Sequence, residues 1–314
     1  MTPILTVTLN PALDISTSAE SVRPGPKLRC ADPRIDPGGG GINVSRVIRR
    51  LGGRSTAFIA IGGATGERLA AALVREGLTP SAWPAPGETR ESIAVTDRST
   101  GEQYRFVLPG PHWNRKQADA ALAAIVTAAP QGAFVVLSGS LPPGMAPDLP
   151  LRLARRLKKA GARLILDTSG DALRQAARGP QAVFVLRMDQ DEAEDLAGRA
   201  LPDRAASAAF ARDLVRSGAA EIAIVGRGAE GSVMVTRDGA WFAPAAKVPV
   251  ASKVGAGDSF MAAFTLALAR GKPLPHALSA GMAAASAAVM TEATELCRPA
   301  DARRLIASCP AEPV

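Results

Sequence analysis

Phe134-Val135-Val136-Leu137-Ser138-Gly139-Ser140-Leu141-Pro142-Pro143-Gly144 decides how this chain must fold. Four consecutive apolar residues stop abruptly at a Ser-Gly-Ser loop. A run so short and so apolar reads as a strand buried on both faces, which needs helices above and below it. Its polar loop then lies at the carboxyl end of the strand, where open α/β sheets bind ligands. Outward from this stretch, residues 4–9, 56–61, 164–166, 183–186 and 222–225 repeat the pattern, with helical periods between most of them. Ile42-Asn43-Val44-Ser45-Arg46-Val47-Ile48-Arg49-Arg50-Leu51 is one such helix, stopped by Gly52-Gly53. The alternation predicts an α/β fold: a mainly parallel central sheet with helices on both faces. Residues 233–236 and 240–243 flank Asp238-Gly239 and predict a hairpin.

Two segments break the rhythm. Residues 13–35 form a strand-like excursion, and residues 89–108 contain a second hairpin, 91–97 and 103–108, around Gly101. Strand alternation puts Tyr104, Phe106 and Leu108 on one face of that hairpin and Arg105 on the other. The expectation is one domain over residues 1–314, with a small β-sheet lid or dimer surface built from these two excursions. No linker, repeat or low-complexity tract divides the chain.

Hydrophobic residues make up 47% of the 314, enough for a full core, but only 4% are aromatic, so Ala, Val, Leu and Ile must fill it. No apolar run reaches the length of a membrane span, and the first residues lack the pattern of a signal peptide. Cys30, Cys297 and Cys309 match no metal spacing and suit a reducing compartment. A cytoplasmic protein without a membrane partner is expected. The net charge of +8 and pI near 10 raise nucleic acid as a partner. However, the arginines are spread, as in Arg46, Arg49 and Arg50 or Arg152, Arg155 and Arg156, and no basic stripe is interleaved with stacking aromatics. Solvated helix faces are expected, with no nucleic acid and some positive charge left for small anionic ligands.

The chemistry concentrates in Lys253-Val254-Gly255-Ala256-Gly257-Asp258-Ser259-Phe260. Glycines before a helix permit a tight turn and leave its first N–H groups bare, at the positive end of the helix dipole. Asp258 within that turn suits a proton acceptor beside a transferring phosphoryl group; an ordinary turn with a capping aspartate fits the spacing equally. Pro37-Gly38-Gly39-Gly40-Gly41-Ile42-Asn43 is a second glycine run that lets a ligand approach the backbone, but it is neither a Walker P-loop nor a dinucleotide fingerprint. Gly226-Arg227-Gly228-Ala229-Glu230-Gly231 offers a third, in which Arg227 is either a phosphate ligand or an exposed loop residue. Asp14, Asp167, Asp189, Glu192 and Asp258 are the acids placed where functional groups tend to be. His112 and His276 have no nearby metal-ligand partner, so neither a triad nor a zinc site is expected.

Taken together, these segments resemble the ribokinase (PfkB-type) carbohydrate kinase family. The runs GGGGIN near residue 40, SGSLPPG near 140 and VGAGDS near 258 stand in that family's order, and the likeness covers essentially the whole chain. TLNPALD at 8–14, Pro26-Lys27-Leu28-Arg29-Cys30, GGATGE at 62–67, GEQYRFVLPG at 101–110 and Leu296-Cys297 support it. Relatives acting on fructose 1-phosphate or tagatose 6-phosphate commonly carry a lysine where this chain has Gly40, which favours the branch acting on fructose 6-phosphate.

The resemblance implies phosphorylation of fructose 6-phosphate to fructose 1,6-bisphosphate by ATP with Mg²⁺. Asp258 would be the general base, with Gly255, Ala256 and Gly257 shaping the anion hole. Asp14, Gly39, Gly40 and Asn43 would hold the sugar, while Lys27, Arg90, Arg105 and Ser140 would grip its phosphate. Gly226, Arg227, Gly228, Gly231 and Lys253, with apolar residues at 283–287, would hold the nucleotide. The family's Lys-Pro-Asn-x-x-Glu reads Arg187-Met188-Asp189-Gln190-Asp191-Glu192 here, which assigns Arg187 and Asp189 to the nucleotide and Glu192 and Asp189 to the metal. Gly226 stands where a hydroxyl residue is common. The monovalent-cation loop differs around Ala293 and Glu295, which leaves K⁺ open. Dimerisation through the lid is a further implication. The alternatives are a kinase for fructose 1-phosphate, tagatose 6-phosphate or another sugar, or a catalytically weak homologue that only binds sugar phosphate.

Overall fold

The computed structural model describes residues 1–180, 182–292 and 295–314. The first half of the chain forms β1 (Ile4–Thr8), β2 (Ala12–Ala19), β3 (Arg34–Gly38), α1 (Gly40–Arg50), β4 (Thr56–Ile61), α2 (Gly63–Arg75), β5 (Pro80–Pro84), β6 (Arg90–Asp97), β7 (Gln103–Val107), α3 (Arg115–Ala128), β8 (Phe134–Ser138) and α4 (Leu149–Lys159). The second half adds β9 (Arg163–Asp167), α5 (Gly170–Ala176), β10 (Val183–Met188), α6 (Gln190–Ala197), α7 (Arg204–Arg216), β11 (Ala220–Gly226), β12 (Gly231–Thr236), β13 (Ala240–Pro244), α8 (Ala256–Ala269), α9 (Leu274–Ala288), α10 (Pro299–Leu305) and β14 (Glu312–Pro313).

The apolar runs pair as their two-sided burial requires. β5-β4-β1-β8-β9-β10-β11 are parallel neighbours, and β12, β13 and β14 extend that edge antiparallel. On one face, α1, α8 and α9 bury Val44, Val47, Ile48, Phe264, Leu278 and their neighbours against Val136, Ile165 and Ile224. On the other, Leu122, Ile125, Leu153, Leu157 and Phe210 from α3, α4 and α7 cover Val135, Leu137 and Leu166. Chain direction across the sheet reverses between β1 and β8, since β4 and β5 lie on one side of β1 and β8 to β11 on the other. Such a reversal opens a crevice at the carboxyl ends of the strands.

The two excursions meet in a separate four-stranded sheet, ordered β3-β2-β6-β7. β2 and β6 pair in parallel, and the outer pairs are antiparallel. One face carries Asp14, Ser16, Ser92 and Arg105, the other Ile15, Ile35, Ile93 and Phe106, as alternation requires. Among the described residues no helix is long and apolar enough to cross a membrane.

The helix-face expectation for the arginines is corrected at one position. Arg49 is exposed, but Arg46, three residues earlier, is buried within the protein.

Candidate active site

The start of α8 draws the site together. Gly255 precedes the helix with φ 75°, and a Cβ there would lie 2.5 Å from Leu296 Cδ2, so only glycine turns the chain at that point. The amides of Gly257 and Asp258 belong to a first turn that has no intrahelical acceptor, and Ala256 N–H makes only a long bond, 3.4 Å, to Lys253 O. Arg187 from β10 covers this turn. A Cβ on Gly257 would stand 3.1 Å from its Nη1, and one on Gly226 would stand 3.5 Å from its Nη2. Arg187 Nη1 donates to Asp167 Oδ1 at 3.2 Å, which fixes the guanidinium between β9 and β11. An amide turn under an immobilised guanidinium is built for an anion.

Asp258 adjoins that turn on α8. Asn43 Nδ2 donates to its Oδ2 at 2.9 Å, and Ser138 Oγ donates to its Oδ1 at 3.3 Å. These donors come from the first turn of α1 and the last residue of β8. Their approach depends on Gly40, where a Cβ would stand 2.2 Å from Ser138 Oγ and 2.9 Å from Gly139 N. Burial pushes the Asp258 carboxyl up to about 6; the Asn43 bond opposes this and the Asp167 charge adds to it. Arg187 and Ser138 lower it further. The result is a carboxylate that is ionised at neutral pH and basic enough to take a proton.

A second carboxylate faces the same crevice from the small sheet. Burial also raises Asp14 to about 6, while the charges of Arg90 and Arg105 pull it down. Gly38 is bare because a Cβ would strike Asp14 Oδ2 at 2.1 Å. Arg90 Nε and Nη2 donate to Asn10 O at 3.3 and 3.2 Å, and Nη1 donates to Leu108 O at 3.3 Å. Asn10 Nδ2 reaches Ser140 Oγ at 3.2 Å. Asp14, Ser16, Ser92 and Arg105 line a cleft closed by Val254, from the loop that leads into α8. A larger cleft, about 810 Å³, lies around Phe134 and Arg163 at the opposite, amino end of the strands, and these groups do not reach it.

Asp14, Gly39, Gly40, Asn43, Arg90, Arg105, Ser140, Arg187, Gly255, Ala256, Gly257 and Asp258 lie around the crevice. Gly226, Gly228 and Gly231 form the turn between β11 and β12, where Arg227 N–H donates to Gly231 O, and Lys253 is exposed before α8. One assignment is corrected. The Arg227 side chain turns inward: it donates to Leu201 O, Ser207 Oγ and Pro202 O and pairs with Glu230, so its donors are spent within the protein. Lys27 sits in the exposed connection beyond the Ala19–Cys30 bridge, and from Asp14 to that end of β2 is already roughly 17 Å of strand. Ala283, Ala284 and Ala287 are buried in the core.

Asp189 and Glu192 cap α6 reciprocally, Glu192 N–H donating to Asp189 Oδ1 and Asp189 N–H to Glu192 Oε2, each at 2.9 Å. Glu192 is raised by burial and by the nearby carboxylates, although its bond from Asp189 N–H opposes this. Ala293 lies outside the described residues, and Glu295 is paired with Arg298. The sequence did not place Ser138 beside Asp258 or pair Asp167 with Arg187. Their signal was position, since each ends an apolar run or directly follows one.

A buried carboxylate beside the bare first turn of a helix, at the switch point of a doubly covered sheet, is an arrangement suited to phosphoryl transfer to an alcohol. The pattern of the pfkB family carbohydrate kinases matches residues 8–301, and the chain belongs to that family. It is a sugar kinase. It is 42% identical over 301 residues to the ATP-dependent 6-phosphofructokinase isozyme 2 of Mycobacterium tuberculosis, covering 96% of this chain and 88% of that protein. The phosphofructokinase-2 from Escherichia coli in complex with fructose-6-phosphate superposes with a TM-score of 0.90 at 36% identity, and its complex with potassium with 0.92 at 37%. Both comparisons cover 98% of this chain and 99% of the other.

Proposed function

We propose that the chain phosphorylates fructose 6-phosphate at its 1-hydroxyl, using ATP, to give fructose 1,6-bisphosphate. The observation that carries this is the Asp258 carboxylate, held by Asn43 and Ser138 at the mouth of the α8 amide turn. Asp258 accepts the hydroxyl proton as the sugar oxygen bonds to the γ-phosphorus and the bond to ADP breaks. The amides of Ala256, Gly257 and Asp258, with Arg187, steady the charge on the phosphoryl oxygens. Asp14, Gly39 and Asn43 orient the sugar, and Arg90, Arg105 and Ser140 take its 6-phosphate. The names of the relatives support this sugar over fructose 1-phosphate or tagatose 6-phosphate.

Among the described residues no three His, Cys, Asp or Glu side chains form a metal cage. Asp189 and Glu192, side by side at the start of α6 and next to Gly226, offer two carboxylates, which suits Mg²⁺, since it takes one or two carboxylates together with substrate phosphates. Asp189 and Glu192 would hold it, and when bound it neutralises charge on the β- and γ-phosphates. The small sheet acts as a lid over the sugar, and its outer apolar face is the proposed dimer surface.

A panel of fructose 6-phosphate, fructose 1-phosphate and tagatose 6-phosphate with ATP tests the substrate. The highest kcat/KM is expected for fructose 6-phosphate, and another winner overturns that choice. Asp258→Asn tests the base: kcat should fall on the order of 10²–10⁴-fold. Turnover close to that of the unmodified enzyme removes Asp258 from the role.

A further inference from the structure

Asp258 receives a donor from Asn43 only if that amide keeps one of its two orientations, and the group that holds it lies behind the crevice. Arg46, one turn along α1, is 2% exposed. Its Nη1 donates to Asn43 Oδ1 at 3.2 Å and to Pro37 O at 3.3 Å. Its Nε and Nη2 each donate to the Glu76 carboxylate at 2.7 Å, just beyond the end of α2. A guanidinium can only donate. The amide atom facing Arg46 is therefore the oxygen, and the NH₂ is left facing Asp258. The opposite orientation would set donor against donor at Arg46 and oxygen against carboxylate at Asp258.

We propose that Arg46, clamped by Glu76, is a positioning residue for the proton acceptor: it locks the Asn43 amide so that its N–H points at Asp258. This rests on the reading of Asp258 as the base. It also gives a buried arginine and a distant glutamate a part in the reaction without contact with either substrate. The bond from Arg46 to Pro37 O ties the same guanidinium to the glycine run, so one residue registers both the run and the amide.

The consequence is electrostatic. Asp258 is faced by Asn43 from α1, Ser138 from β8, Asp167 from β9 and Arg187 from β10. Arg46 itself is faced by Glu76, by Asp36 at 3.8 Å, and by the charges of Asp14 and Arg50. Without Arg46 the amide is free to turn its oxygen toward Asp258, which favours the protonated carboxyl. A base that holds its proton more tightly needs a higher pH to work, so the acid limb of kcat must move up.

The test compares the pH profiles of Arg46→Met and of the double variant Arg46→Met with Glu76→Met, which strands no charge should the single variant fold poorly. The expected acid limb lies about one pH unit higher, about a tenfold loss of kcat below it. At pH well above the limb, kcat should recover to within about twofold of the unmodified enzyme, because the carboxylate is then ionised in either case. A loss of equal size at every pH, or an unmoved limb in the variant that folds, overturns the proposal. Asp258→Asn measured alongside separates the two readings. If Asp258→Asn is inactive while the limb stays put, only the role of Arg46 fails; if Asp258→Asn still turns over, the proton-acceptor reading fails first.

Discussion

Two carboxylates facing one crevice, Asp14 and Asp258, are both held at about 6 by burial, but for different purposes. If Asp258 is the proposed base, it must be ionised to accept a proton during turnover, so kcat depends on one group. On the same proposal Asp14 is ionised when it accepts hydrogen bonds from the sugar hydroxyls, a task of sugar binding. The signs agree: each folded value lies above the ordinary carboxylate value, so each group is protonated, and lost to its task, as pH falls through about 6. The expected profile is therefore kcat falling with a slope near one below about pH 6, while kcat/KM for the sugar falls with a slope approaching two. Steady-state rates between pH 4.5 and 8 decide it. A kcat/KM slope of one would leave Asp14 outside sugar binding. Arg90 and Arg105 act in the opposite direction, since their charge keeps Asp14 from rising further and so keeps it ionised at neutral pH.

The turn between β11 and β12 shows how an element can look functional for the wrong reason. Gly226 to Gly231 reads as a phosphate nest with an arginine in it, and the backbone suits that, but the Arg227 side chain pins α7 and its preceding loop to the sheet. Arg227→Met should lower Tm, with about 3–5 kcal/mol lost as Glu230 and the carbonyls lose a buried partner. KM for ATP in the folded variant should stay within about twofold, since the guanidinium is used inside the protein. A large rise in KM for ATP with unchanged Tm would restore the nucleotide role. Thermal melts and ATP titrations read both. Legibility follows the same division. Parallel strands were readable because burial on both faces leaves continuous apolar runs, and the 13–35 and 89–108 excursions because alternation survives on a two-faced sheet. β5, Pro-Ser-Ala-Trp-Pro, escaped because it carries no β-branched residue. Asn43 came only with the family resemblance, whereas Asp258 and the glycine runs were readable because turn geometry dictates residue type locally. Arg46 and Arg227 were not, because their partners, Glu76 and residues 201–207, are distant in sequence and become neighbours only once the helices pack.

The small sheet belongs to the whole molecule because its two faces answer to different surroundings. Its inner face is polar and turned to the crevice. Its outer face carries an apolar row across all four strands, Ile35, Ile15, Ile93 and Phe106, with Tyr104 and Val95 beside it. Near the body Leu13 of the same face is buried under α2 with Leu69 and Leu73, but the row runs past that cover, leaving Phe106 53% exposed and Ile35 39%. A contiguous patch of this kind is costly in water and marks an association surface. Because β2, β6 and β7 carry Asp14, Arg90 and Arg105, a second copy packed on the outer face would stiffen the sheet proposed to hold the sugar. Phe106→Asp places a charge at the most exposed end of the row without touching the inner face. The expected outcome is a dimer for the unmodified protein and a monomer for the variant by light scattering, with Tm of the body little changed. KM for the sugar phosphate should rise severalfold, on the order of 3- to 10-fold, as the lid loses its support, while KM for ATP holds. An unmodified protein that is monomeric at micromolar concentration, or a variant that keeps its partner, would place the association surface elsewhere. An unchanged KM in a monomeric variant would separate dimerisation from sugar binding.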